Sequence, residues 1–130
     1  MRLLLDTHVF LWAIAGSPRL GTSARRAIEA ADQVFVSAAS IWEIAIKARL
    51  GKIEADPDEY LAAIEQSGFA ELPVRAVHAA EVARLPMHHT DPFDRLLVAQ
   101  ALVEPLRLLT ADALLCKYSG IVVLLEPSGR

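Results

Sequence analysis

The stretch RLLLDTHVFLWAIAG, running from Arg2 to Gly16, holds a complete strand-to-helix transition. Residues 2–5 form a short leucine-rich run bounded at Asp6 and read as a buried strand. Residues 7–15 carry helical spacing and stop at Gly16, a residue that suits a helix terminus. Asp6 stands at the joint. A carboxylate at the end of a buried strand is costly unless it caps a helix, meets a counter-charge or binds a cation. A helix starting at Thr7 or His8 would give it a cap to make.

The same alternation recurs down the chain. Apolar runs at residues 34–36, 69–72, 107–109 and 121–125 predict four further strands. Helices are expected after Ser37 up to Gly51, from the cap-proline-acid opening Asp56-Pro57-Asp58-Glu59, and over residues 75–84, 92–104 and roughly 111–118. Strands alternating with helices imply an α/β/α sandwich, with a central parallel sheet of about five strands covered on both faces. A single domain over residues 1–130 is expected, because no repeat, linker or low-complexity tract interrupts the pattern.

Composition narrows the function. The chain is 54% hydrophobic, with a mean hydropathy of +0.35, an apolar surplus that fits buried strands or a surface covered by a partner. A net charge of −3 argues against nucleic-acid binding driven by overall charge, which leaves local basic patches or a bound cation. The single Cys116 excludes an intrachain disulfide and is expected as a small buried hydrophobe in a reducing compartment. The first sixteen residues superficially resemble a signal peptide, but Asp6 and His8 interrupt their apolar run. No apolar run approaches membrane-spanning length, so a cytoplasmic protein with no membrane contact is expected.

Open α/β sheets place their sites beyond the carboxyl ends of the strands, at the topological switch point. Asp6 ends the first predicted strand, and Thr110 and Asp112 follow the fourth. A helix running antiparallel to the strands begins on that edge as well. In HHTDPFDRLLVAQA (residues 88–101), Asp91 caps such a helix, Pro92 is its first residue, and Asp94 follows at the third helical position. Glu43 has two structural explanations, a capping box with Ser40 and an i,i+4 pair with Lys47. Its neighbours Trp42 and Ile44 nevertheless leave it no broad polar face.

Several acids on one rim raise each other's pKa unless a cation neutralises them. Oxygen ligands of this kind suit Mg²⁺ or Mn²⁺ rather than zinc. Such an ion activates water and offsets charge on a phosphodiester, so metal-dependent phosphodiester hydrolysis is the expected chemistry.

Other side chains have plainer readings. His88 and His89 with Asp91 invite a zinc site, but adjacent loop histidines rarely aim at one ion, and both are expected as loop residues that could contact substrate. His8 lies close enough to the rim to touch substrate, while His78 is expected in packing or on the surface. Trp12 and Trp42 could stack on bases, although aromatics at this spacing usually enter the core. Lys47, Arg49 and Lys52 form a solvated helix end that could meet a phosphate backbone. Arg95 could balance the acids or hold phosphate.

Four segments, LLLDTH, SAASIWEIAIKARLGK, HHTDPFDRLLVAQA and LLTADALL, occur in this order across almost the whole chain. Together they resemble the PIN-domain toxins of VapBC toxin–antitoxin modules. The resemblance implies a PIN-like α/β/α fold and Mg²⁺- or Mn²⁺-dependent endoribonuclease activity. It also implies a cognate VapB-type antitoxin whose tail blocks the acidic pocket, and a toxin homodimer. By motif, the implied metal and catalytic residues are Asp6, Glu43, Asp94 and Asp112, with Thr110 orienting a water or a carboxylate. Two other classes are weighed against this. A receiver-like or dehalogenase-like phosphotransferase fares poorly, because Asp6-Thr7-His8 lacks the second acid of a D-x-D motif. A non-catalytic PIN-like interaction module with an inert acidic pocket is the remaining alternative.

Overall fold

Alternation of side chains along β1 (Arg2–Leu5) organises the molecule. In the computed structural model, which describes residues 1–125, Leu3 and Leu5 point to one face of the sheet and Leu4 to the other. The neighbouring strands β2 (Gln33–Ser37), β3 (Ala70–Leu72), β4 (Arg107–Thr110) and β5 (Val122–Leu124) complete a five-stranded sheet in the order β3-β2-β1-β4-β5. Every pairing is parallel. Two faces therefore need cover, and the chain supplies two helical layers.

Leu3, Leu5, Val34, Val36 and Leu109 pack against Val9 and Phe10 of α1 (Thr7–Ala15), Ala24 of α2 (Thr22–Ala30), Ile44 of α3 (Ala38–Arg49) and Ile64 of α4 (Pro57–Gln66). On the opposite face, Leu4, Leu108 and Val122 pack against Leu97, Val98 and Ala101 of α6 (Pro92–Val103), which is preceded by α5 (Ala76–Glu81). This is the expected α/β/α sandwich. Among the described residues, no helix is long and apolar enough to cross a membrane.

Three local expectations need correction. Helix α2 was not legible in the sequence: its N-cap is Gly21, no side chain caps it, and only Ala24 is fully buried. The expected helix over 75–84 tightens after Glu81 into a 3₁₀ turn, Val82–Arg84. The segment expected as a helix over about 111–118 is a 3₁₀ turn, Ala113–Lys117, in which Leu115 takes the buried position and Cys116 is exposed rather than buried. Trp42 also departs from expectation. It stands 62% exposed on α3 and meets Phe93 edge-on at 5.1 Å.

The caps agree better with the sequence. Asp6, Asp56 and Asp91 accept main-chain N–H groups at the starts of α1, α4 and α6. Gly16, in the left-handed region at φ 65°, closes α1. Helix α3 is capped by Ser37 instead of Ser40, whose hydroxyl accepts a hydrogen bond from Thr7 Oγ1 at 2.9 Å.

Candidate metal centre

The strand order reverses between β1 and β4, since β2 and β3 lie on one side of β1 and β4 and β5 on the other. The crevice beyond the carboxyl ends of these two strands is the switch point. Asp6 N–H donates to Leu109 O at 3.0 Å, extending the β1–β4 ladder to the rim. Asp6 and Thr110 are thereby placed side by side, both buried.

Each oxygen of Asp6 has a partner. Oδ1 accepts from Val9 N–H at 3.0 Å, and Oδ2 accepts from the Thr110 hydroxyl. The Thr110 hydroxyl oxygen accepts in turn from Asp112 N–H at 3.0 Å, which fixes the turn after β4. Asp112 Oδ1 caps the following 3₁₀ turn through Leu114 N–H at 2.9 Å, leaving Oδ2 to face the crevice.

Asp94 arrives from the other layer. Asp91 Oδ1 accepts from both Phe93 N–H and Asp94 N–H at 2.8 and 3.1 Å, so the cap aims the first turn of α6 at the rim. Asp6, Asp94 and Asp112 line one cleft of about 330 Å³, together with His8, Trp12 and the two alanines that flank Asp112. Burial pushes the Asp94 carboxyl up to about 7, and the negative charges of Asp91, Asp6 and Glu43 push the same way, against the pull of His89. Burial also raises Asp6, against the hydrogen bonds from Thr110 and Val9. These are anions held together without enough positive charge.

Glu43 completes the set from behind. It is only 3% exposed. Its Oε2 pairs with Lys47 Nζ at 2.8 Å, whereas its buried Oε1 has no hydrogen-bond partner among the described residues. The Lys47 ammonium is raised above its ordinary value chiefly by the hydrogen bond to Glu43, against its own burial. The i,i+4 pair expected between Glu43 and Lys47 is therefore present, and Lys47, in the last turn of α3, is tied to the acidic cluster.

His89 lies in the loop before α6, as expected, but its ring reaches the rim acids. Its Nε2 lies 2.8 Å from Asp112 Oδ2 and 3.5 Å from Asp94 Oδ2, so it bridges two of the rim acids. His89, Asp94 and Asp112 offer ligand atoms that all lie within 4.8 Å of one another. The other ring nitrogen, Nδ1, accepts the N–H of Asp91 at 3.0 Å. A neutral imidazole whose Nδ1 accepts carries its proton on Nε2. His89 in this arrangement therefore donates to Asp112 and has no Nε2 lone pair for a metal.

Arg95 also differs from expectation. Its guanidinium donates to the carbonyls of Pro86, Val82 and Leu85 and to the Tyr118 hydroxyl, at 3.0 to 3.4 Å. It ties the segment leading into α6 and offers those donors neither to the acids nor to a phosphate. His88 is exposed and meets Tyr118 edge-on at 5.0 Å, with no place in the cleft. His78 is fully buried, between Arg75 N–H and the Glu104 carboxylate.

The donor set fits a hard divalent cation. It consists of the carboxylate oxygens of Asp6, Asp94 and Asp112 in one cleft where burial raises Asp6 and Asp94, with the buried, unpartnered Oε1 of Glu43 coupled electrostatically to both. No cysteine joins the set, and of the two imidazoles beside it His89 is turned toward Asp112 while His8 lines the cleft.

Comparison with known proteins agrees with this architecture. A PIN domain family model matches residues 3–121. Ribonuclease VapC22 of Mycobacterium tuberculosis is 37% identical over 118 residues, covering 85% of this chain and 86% of the relative. Among solved structures, VapBC2 from Rickettsia felis bound to a DNA fragment from its promoter superposes with a TM-score of 0.67 at 14% identity, covering 95% of this chain and 97% of that one. A toxin–antitoxin complex from Klebsiella pneumoniae gives 0.65 at 19% identity, covering 93% and 95%. FitAcB from Neisseria gonorrhoeae gives 0.64 at 18% identity, covering 96% and 97%.

Proposed function

The chain belongs to the PIN domain family, within it to the VapC group, and on that premise we propose that it is the ribonuclease toxin of a toxin–antitoxin pair, hydrolysing RNA phosphodiesters with Mg²⁺ or Mn²⁺. The observation that carries the reading is the meeting of Asp6, Asp94 and Asp112, from three separate segments, in one cleft at the switch point of the sheet. A relative named as a ribonuclease supports the reaction class.

Asp6 and Asp94 are the principal metal ligands in this proposal, with Asp112 beside them and Glu43 Oε1 available to a water or to a second ion. Such a cation, when bound, supplies an acidified water and neutralises charge on the phosphodiester. The chain's own contribution is placement. Thr110 holds the Asp6 carboxylate through Oδ2, and the Val9 N–H holds it through Oδ1, so its orientation does not depend on the ligand. His89 holds Asp112 Oδ2 toward the cleft. Lys47 offsets part of the charge of Glu43 without entering the cleft itself.

Toxin–antitoxin complexes among the structural neighbours support a cognate antitoxin as partner, and the proposal further has that antitoxin cover the acidic cleft and the toxin form a homodimer. An exposed free thiol at Cys116 suits a reducing compartment, in keeping with a cytoplasmic site of action. The test is RNA cleavage by the purified chain with Mn²⁺ and with EDTA. Cleavage that EDTA abolishes and the cognate antitoxin suppresses is the expected result. Cleavage that survives EDTA would overturn the metal-dependent reading.

A further inference from the structure

The acidic cleft does not end at its carboxylates. It shares His8, Trp12, Ala111 and Ala113 with a second, larger hollow of about 580 Å³, which continues past Arg19 to the end of β5. The hollow has a different chemistry. Arg19 lies with its guanidinium carbon 5.6 Å from the centre of the Trp12 ring, and the His8 ring centre lies 6.1 Å from the same ring. Arg19 is exposed and pairs with no carboxylate among the described residues. Ala111 and Ala113, one on each side of Asp112, have side chains too short to wall off one hollow from the other.

An RNA strand entering an acidic cleft is repelled everywhere except where a cation meets its phosphate. The nucleotide next to the scissile bond therefore needs a surface of its own. Positive charge for a phosphate and an aromatic face for a base are the two features that hold single-stranded nucleic acid without demanding a sequence. Both are present here, immediately beside the carboxylates.

Resting on the ribonuclease reading above, we propose that Trp12, Arg19 and His8 form a subsite for the nucleotide on one side of the scissile phosphate: its base stacks on the Trp12–Arg19 pair, and its phosphate is held by Arg19.

The test measures steady-state cleavage of a randomised single-stranded RNA with Mn²⁺, with the cut ends sequenced, for the wild-type chain and for Arg19→Ala, Trp12→Ala and Trp12→Phe. Arg19→Ala and Trp12→Ala should each raise KM by about tenfold, the size of a lost stacking or phosphate contact, with a much smaller effect on kcat. Trp12→Ala should also flatten the base preference on one side of the cut, and Trp12→Phe should restore both KM and preference. Trp12 packs partly against the core, so thermal melts identify any variant that has lost its fold, and the exposed Arg19 keeps the test decisive in that event. Wild-type KM and wild-type cut-site preference in folded Arg19→Ala would overturn the subsite while leaving the ribonuclease reading intact. Unchanged RNA kinetics together with lost antitoxin affinity would assign the hollow to the protein partner instead. A wild-type chain that neither cleaves nor binds the RNA would overturn the ribonuclease reading itself, and the subsite with it.

Discussion

His89 Nε2 sits 2.8 Å from Asp112 Oδ2, and its opposite nitrogen accepts the N–H of Asp91, the residue that caps the helix bearing Asp94. One imidazole thereby couples the turn after β4 to the start of α6, the two segments that deliver the outer acids of the cleft. Groups that orient metal-binding carboxylates commonly matter almost as much as the ligands. His89→Ala should lower Mn²⁺-dependent RNA cleavage by about 10- to 100-fold while Asp6, Asp94 and Asp112 remain in place. Mn²⁺ affinity measured by calorimetry should weaken alongside. Wild-type activity in a folded His89→Ala protein would remove the residue from the site.

The elevated Asp94 carboxyl predicts how metal binding depends on pH. With its value at about 7, Asp94 still holds a proton over much of the range below neutrality, and Mn²⁺ must displace that proton. Apparent Mn²⁺ affinity should therefore fall by roughly tenfold for each pH unit below neutrality. Calorimetric titrations at pH 6, 7 and 8 check this, and unperturbed carboxylates would leave the affinity flat.

The same shift has a stability consequence of defined sign. Between the unfolded carboxylate value near ~4 and the folded value of about 7, the folded protein keeps a proton that the unfolded chain gives up. Asp94 therefore makes the metal-free protein less stable as pH rises through that window. Thermal melts with EDTA should show this loss for the wild type and a smaller one for Asp94→Asn, whose amide carries no charge. Added Mn²⁺ should restore the wild type at pH 8 and affect Asp94→Asn far less.

Arg95 is predicted to matter for folding more than for substrate. Its four hydrogen bonds join residues 82–86 and Tyr118 to α6. Arg95→Ala should cost about 2–4 kcal/mol in denaturant unfolding, the scale for losing several charge-assisted bonds to partly buried acceptors. KM for RNA should change little in the fraction that remains folded. A tenfold rise in KM with unchanged stability would return Arg95 to the phosphate-binding role considered from the sequence.

The architecture was legible because its signals are local and redundant. Leucine runs broken by Asp6 and Thr110, proline after the aspartates at 56 and 91, and Gly16 at a helix end each mark a boundary through backbone chemistry alone. Helix α2 lacked such marks: its cap is a glycine and its buried face centres on Ala24, so neither capping nor apolar spacing declared it. The placement of Asp6, Asp94 and Asp112 on one rim was legible for the same reason as the strands, since strand ends and helix starts fix where side chains at those positions point. His89 was not legible. Its role depends on the imidazole folding back onto Asp91 N–H and reaching Asp112 across a gap of twenty-three residues, which no spacing rule encodes. Arg95 failed in the opposite direction, because nothing in the sequence distinguishes a guanidinium that binds carbonyls from one that awaits a phosphate.

The central claim is that the cleft's carboxylates hold the cation that cleaves RNA, and its most direct test is the single-turnover cleavage rate of Asp94→Asn at saturating Mn²⁺. Asparagine keeps the shape of the side chain while removing the charge, so the fold should persist. The account predicts a rate reduced by at least a hundredfold, with weakened Mn²⁺ binding in the same preparation. A folded Asp94→Asn protein that cleaves RNA at the wild-type rate would contradict it.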